Sequence, residues 1–315
     1  MAAATASSSF EAVTYVDSLT SWWPPANIAA SIGVPSFTPH TMNYTTVNLA
    51  FWMSGAPVDA ALVWADAAKY FSMQNPWNAT TTAGIQAALL ELYHARGVKV
   101  LVSAFGSTDN PTSAGRDPEA TAQALAEFVI TNQLDGADVD WEDNAAMTAG
   151  TGEAWLIAFT KQLRALLPGD KYTITHAPQA PYFSKALYSA GGYSKVDTEV
   201  GAMIDWYNVQ FYNQGTSSYS TYETLYTASD GWAPNTAVSQ IVASGVPISR
   251  VVVGKPVTAA DASNTGFIPL ASLASFLSQG VQGGITVRGA MNWQFKSDMS
   301  QGGLWAPTVL NALKE

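Results

Sequence analysis

The chain has 315 residues, of which 48% are hydrophobic and only 12% charged, and its formal net charge is −10. That acidity excludes the basic footprint needed by nucleic acid or an anionic membrane but leaves a neutral polymer such as a polysaccharide open as a partner. With no cysteine and three scattered histidines, His40, His94 and His176, disulfide and thiolate chemistry are excluded, and no metal site or other cofactor is expected.

No stretch of about 20 residues is uniformly apolar, so no transmembrane helix is expected. The start, MAAATASSSF, lacks the basic opening and apolar centre of a secretory leader. The expectation is a cytoplasmic protein, or a secreted one whose leader has been removed. Only in the second case would the sequons at Asn43 and Asn78 matter.

Strand-like runs recur along the chain, most of them separated by helical or loop-rich segments. The first is 12–16 (AVTYV), followed by a loop carrying Trp22 and Trp23. The second is 47–53 (VNLAFWM), ahead of a long connection containing Trp77. Helical spacing over 85–96 stops at Gly97, and 98–107 (VKVLVSAFGS) reads as a buried strand. Asp117-Pro118-Glu119 opens a helix with a capping acid, a proline at the first helical position and an acid in the first turn. That helix runs to about 132 and delivers the chain to LDGADVDWED, 134–143. An amphipathic helix over 153–167 stops at Pro168-Gly169. Further strands are expected at 172–179, 204–213, 250–257 and 286–295.

Eight apolar strands with intervening helical material predict an α/β fold, a (β/α)8 TIM barrel forming a single domain over 1–315. Within 134–143, Asp138, Asp140 and Glu142 stand two residues apart, so a strand points all three to one face. Burying such a column costs several kcal/mol per unpaired charge, which points to chemistry rather than stability. Active sites of this fold lie at the carboxyl ends of the strands. Polar and aromatic residues cluster at those ends: 103–107, 140–142, 176–179, 210–213 and Trp293.

The run Asp135-Gly136-Ala137-Asp138-Val139-Asp140-Trp141-Glu142 resembles the DGxDxDxE signature of glycoside hydrolase family 18, the chitinases and endo-β-N-acetylglucosaminidases. Ser103-Ala104-Phe105-Gly106 resembles the family's third-strand SxGG, with Phe105 where a glycine is usual and the departure expected to bear on the barrel interior. The segment 203–213 (MIDWYNVQFYN) resembles the sixth-strand stretch that carries a substrate-contacting tyrosine. Met291-Asn292-Trp293 resembles the eighth-strand tryptophan that floors the sugar site, and 176–182 (HAPQAPY) resembles the fifth-strand APQ run of short members.

The resemblance implies substrate-assisted hydrolysis of GlcNAc-β-1,4-GlcNAc, in which the substrate's 2-acetamido oxygen attacks the anomeric carbon to form an oxazolinium. It implies that Glu142 is the general acid and then base, and that Asp140 hydrogen-bonds the acetamide and shares a proton with a supporting Asp138. Tyr212 would hold the acetamide oxygen and Trp293 would stack on the sugar, with Gln210, Asn213 and Gln179 as polar contacts. Tyr182 is the favoured further aromatic of the cleft; Trp22, Trp23, Trp52, Trp77 and Phe183 read equally well as groove or as packing. Asp135 reads as a brace at the start of its strand and Asp143 as a solvated loop acid. His176 stays open between an interior residue and a base or ligand.

Three functional readings follow: a monomeric enzyme cutting chitin or chitooligosaccharides, one cutting the chitobiose core of N-glycoproteins, or a silent sugar-binding or inhibitor protein on the same fold. The first two are balanced. Joint retention of Asp138, Asp140, Glu142 and Tyr212 argues against the third.

Overall fold

A computed structural model describes residues 10–17, 43–71, 79–217 and 219–315. Trp22, Trp23, Trp77 and Asn78, which the sequence singles out, lie outside the described residues. Eight parallel strands close into a barrel in sequential order: β1 Glu11–Val16, β2 Thr46–Trp52, β3 Lys99–Gly106, β4 Gly136–Trp141, β5 Thr173–His176, β6 Trp206–Gln210, β7 Val251–Pro256 and β8 Gly289–Trp293. Each coincides with an expected strand, but β5, β6 and β8 are shorter than expected. Beyond His176, Pro178 has no N–H to donate, and the chain turns into a short 3-10 segment, Ala180–Phe183.

The helices form for the reasons their ends suggest. Pro118–Thr131 is capped by the Asp117 carboxylate, which accepts from the Ala120 N–H at 2.8 Å. Thr82–His94 begins three residues earlier than the apolar spacing suggests, because the Thr81 hydroxyl caps it at the Gly84 N–H, 3.2 Å away. Gly152–Leu166 lays Trp155, Leu156, Phe159 and Leu163 onto the outside of the barrel and ends ahead of Pro168.

Two cores result. Between the barrel wall and the helices lies the larger apolar layer. Inside the barrel lie Val13, Tyr15, Ala177, Trp206, Val252 and Met291. The Lys99 ammonium and the Arg288 guanidinium lie 5.6 and 4.7 Å from the Trp206 ring centroid, at the amino ends of the strands. Gly136 permits the closest approach in β4: a Cβ there would lie 1.8 Å from the Thr173 carbonyl oxygen. Side-by-side register puts Ser103, Asp138 and Thr175 in one row across β3, β4 and β5, and that row supports the acids.

Phe105 does not bear on the barrel interior as its sequence position suggests. By alternation with Ser103 it would face inward. Its backbone instead sits at φ 80°, the left-handed region where the related motif carries glycine. The ring packs outward against Trp52, Trp155 and Phe159, with centroids 5.7 to 6.0 Å apart. A non-glycine residue in that conformation costs about 1–3 kcal/mol, which burial of the ring among three aromatics offsets.

Candidate active site

Asp138 is fully buried at the centre of the barrel. Four donors converge on it: Tyr15 Oη at 2.7 Å and Ser103 Oγ at 2.8 Å on one oxygen, Thr175 Oγ1 at 2.5 Å and Asn208 Nδ2 at 3.0 Å on the other. All four are neutral groups, donating from β1, β3, β5 and β6. Burial raises its pKa, and the four hydrogen bonds, Thr175 first, pull it back down.

Asp140 sits one pleat higher and accepts a single bond of 2.8 Å from Gln210 Nε2, whose other partner is the Ala177 carbonyl at 2.9 Å. Burial pushes its pKa well up, and the neighbouring carboxylates of Glu142 and Asp138 push it further. Asp138 has four donors to offset burial, whereas Asp140 has one and two carboxylates beside it, so the upward push is stronger on Asp140. Glu142, one residue beyond β4, accepts from Gln179 Nε2 at 2.7 Å. Its pKa is raised by burial, with the Gln179 and Gln210 amides partly opposing the shift. Such a carboxyl keeps its proton to a higher pH than an exposed glutamate and can give it to a leaving oxygen.

Above the acids opens a cleft of about 400 Å³. Asp140, Glu142, Gln210, Tyr212, Asn213 and Trp293 line it, all of them singled out in the sequence, so six separate predictions meet in one cavity. Trp293 is set by Phe51, stacked at 6.0 Å and 23°, and by Tyr15 at 5.8 Å. Gln179 reaches the site through Glu142 rather than through the cleft wall.

Besides Ser107 of the 103–107 cluster, the cleft contains residues that sequence reasoning missed: Phe51, Asp261, Ser263 and Asn264. The last three belong to the connection after β7, and no local pattern marks them. Asn213 Oδ1 accepts from the Ser263 N–H at 2.6 Å, which draws that connection across to the end of β6. Beneath it, buried Lys255 donates from Nζ to the carbonyls of Phe211, Tyr219 and Gly266 at 2.8 to 3.0 Å. Burial pushes this lysine down to about 7. The ammonium matches three donors to three acceptors and so fixes the backbone on either side of Tyr212.

Two sequence readings of this region need correction, those of Tyr182 and Asp143, and three left open, those of Trp52, Phe183 and His176, are decided. Tyr182 is not a cleft aromatic: it is fully buried, its hydroxyl donates to Asn144 Oδ1 at 2.8 Å, and its ring packs against Trp141, Tyr188 and Tyr193. The short 3-10 turn after β5 swings it behind the wall. Trp52 and Phe183 are likewise buried among aromatics. His176 is an interior residue, with Nδ1 3.1 Å from Tyr193 Oη and Nε2 3.4 Å from Thr160 Oγ1. Burial and the Arg164 charge push it down to about 3, so it is neutral.

Asp143 is not a solvated loop acid. It is 1% exposed and accepts from Ser113 N–H at 2.6 Å, Ser113 Oγ at 2.5 Å and the Ala146 N–H at 3.1 Å. It therefore ties the loop after β3 to the residue following Glu142. Asp143→Ala is expected to cost about 2–4 kcal/mol of stability by removing these charge-assisted bonds and a helix cap, as measured by urea unfolding. A loss under about 0.5 kcal/mol, the scale of an ordinary surface substitution, would show that the clamp carries no energy. Asp135, by contrast, braces the start of β4 as its position suggests, accepting from the Val100 N–H at 2.7 Å and meeting His94 Nε2 at 2.8 Å.

Comparison with known proteins finds the same barrel. The model of glycosyl hydrolases family 18 matches residues 12–302, and the chain belongs to that family. It is 31% identical over 176 residues to endochitinase 3 of Metarhizium anisopliae, a match covering 55% of this chain and 50% of that one. The chain thus spans about half the length of the curated relatives it matches. Among solved structures, a family 18 chitinase from Pseudoalteromonas aurantia is 30% identical with TM-score 0.72, covering 96% of this chain and 99% of that one. A fungal endo-β-N-acetylglucosaminidase of the same family shares the fold, with TM-score 0.65 at 20% identity over 96% of this chain and 98% of that one.

Proposed function

We propose that the protein is a retaining endo-glycosidase that hydrolyses the GlcNAc-β-1,4-GlcNAc bond of chitin or chitooligosaccharides with assistance from the substrate's own 2-acetamido group. The observation that carries this reading is the graded acid column: Asp138 below, held by four donors, Asp140 in the middle, pushed well up by burial and by its two neighbouring carboxylates, and Glu142 at the cleft, raised by burial. Ordinary retaining glycosidases need a second carboxylate as nucleophile. Asp140, pushed toward its neutral form, is a poor one, whereas an acetamide oxygen supplied by the sugar needs only to be oriented.

In that reaction Glu142 gives its proton to the glycosidic oxygen as the acetamide oxygen bonds to the anomeric carbon and the C–O bond breaks. The glutamate then takes a proton from the water that opens the oxazolinium, restoring the β configuration. Tyr212 and Asp140 would hold the acetamide at its two ends, and Trp293 would support the apolar face of the sugar. The names of the endochitinase and chitinase relatives support chitin as the polymer. The polar wall of Asp261, Ser263 and Asn264 supports a second reading, the chitobiose core of N-glycans.

Incubation with chitohexaose and, separately, with a high-mannose glycoprotein tests the proposal. Short chitooligosaccharides from the first substrate alone are the expected result. Release of glycan leaving one GlcNAc on the protein would establish the second reading, and no product from either would leave a sugar-binding protein.

A further inference from the structure

Val251, Val253 and Val257, alternate residues of the run through β7, are all buried in the apolar layer between the barrel and the helices. Lys255 holds the remaining position of that row and is fully buried. Among the described residues it makes no ion pair. A buried charge without a carboxylate partner is costly, and a valine or methionine would fill the layer without that cost. Packing alone does not account for a lysine there.

What the ammonium does is join two connections that build the cleft. Its three N–H groups meet three main-chain carbonyls, those of Phe211 just after β6, Tyr219 farther along the same connection, and Gly266 in the connection after β7, at 2.8, 2.8 and 3.0 Å. The Phe211 carbonyl belongs to the peptide that leads into Tyr212. Gly266, at φ 105°, packs against that same tyrosine: a Cβ there would come within 2.4 Å of Tyr212 Cα. The Asn213 N–H donates to the Thr265 carbonyl at 2.8 Å, so the main chain that brackets Tyr212 is gathered by one cation. The Tyr212 ring lines the cleft with Asp140 and Glu142. Burial and the nearby carboxylates push its pKa well up, so its hydroxyl keeps its proton and can donate it.

Resting on the proposed reading of the site, we infer that Lys255 is a positioning residue for the reaction: it fixes the main chain around Tyr212 and so sets the phenol where the acetamide oxygen must be held. Its three donors are all spent on main chain, so it acts on the substrate only through the tyrosine. Three N–H groups on one tetrahedral nitrogen suit three converging carbonyls, and no neutral side chain of this length offers as many. The leverage is geometric, since a misplacement of about 1 Å at a catalytic group is enough to cost about 10²-fold in rate.

Lys255→Met, Tyr212→Phe and the double variant test this on chitohexaose, with folding checked by urea unfolding. Lys255→Met is expected to lower kcat by about 10–10²-fold while KM stays within about threefold of wild type. In the Tyr212→Phe background the same substitution is expected to lower kcat by less than about threefold, because the hydroxyl that the lysine places is already gone. Equal losses in the two backgrounds overturn the proposal, since the lysine would then act on the site by another route. Near-normal kcat in Lys255→Met, or a change confined to KM, overturns it as well. If Lys255→Met does not fold, Lys255→Gln, whose amide keeps about two of the donors, is put through the same cycle. If neither folds, the lysine is an element of stability and the positioning role is overturned. Wild-type kcat in Tyr212→Phe removes the role of the tyrosine and the positioning with it, whereas no hydrolysis by the wild-type chain removes the functional reading itself.

Discussion

Glu142→Gln is expected to lower kcat on chitohexaose by about 10²–10⁴-fold, the usual contribution of a positioned acid–base group, while the Kd for the oligosaccharide stays within about threefold of wild type. Glutamine matches the shape of glutamate, and its carbonyl can still accept from Gln179 Nε2, which in the wild type lies 2.7 Å from Glu142 Oε2. Geometry and sugar contacts therefore persist while the transferable proton is lost. The wild-type pH profile carries the same signature. Burial raises the Glu142 pKa, so the protonated acid persists above the ordinary carboxylate range, and activity falls as pH rises through that raised value. Residual turnover in the glutamine variant should lack this falling limb. Near-normal kcat in Glu142→Gln, measured on purified protein with isothermal titration to confirm binding, would sink the mechanism.

Asp140→Asn is expected to move activity and stability in opposite directions. Its pKa is pushed well above the ordinary value by burial and by two neighbouring carboxylates. A carboxyl shifted upward on folding contributes stability that is fully present below its unfolded pKa and is lost as pH rises through its folded pKa. Asparagine never ionises and keeps an oxygen where Gln210 Nε2 donates at 2.8 Å. The variant should therefore match wild type in unfolding free energy near pH 3 and exceed it by about 1–2 kcal/mol at neutral pH, as measured by urea unfolding at each pH. Its kcat on chitohexaose should fall at least about 10²-fold, since the group that orients the acetamide in the transition state is altered. A variant less stable than wild type at neutral pH would show that Asp140 is held as an anion. That outcome would reopen its assignment as nucleophile.

These two predictions concern residues whose importance could be read before any coordinates, because their signal is local. Acids at i, i+2 and i+4 share a face of any strand, and eight apolar runs with helix caps such as Asp117 declare the barrel through short-range periodicity. Gln210, Tyr212 and Trp293 were legible for the same reason: each ends a strand, and in this fold the strand ends converge.

What the sequence could not announce depends on which segments meet across the barrel. Asp143 looks like any loop acid until the connection after β3 folds over and presents Ser113 to it. Tyr182 sits in a promising run, yet a single 3-10 turn puts its ring behind the wall. Ser263 and Asn264 reach the cleft because Asn213, some fifty positions earlier, accepts their backbone N–H groups.

By itself, then, the sequence determined the barrel, the family resemblance and the acid column, since strand pleat and helix capping are properties of a few neighbouring residues. Only the tertiary structure decided how strongly each acid's pKa is pushed, because that depends on how many donors other strands aim at each carboxyl. Asp138 receives four, from β1, β3, β5 and β6, while Asp140 receives one. Identical side chains two residues apart are thus pushed upward to different degrees, and the cause is burial, neighbouring charge and hydrogen bonding supplied from other strands.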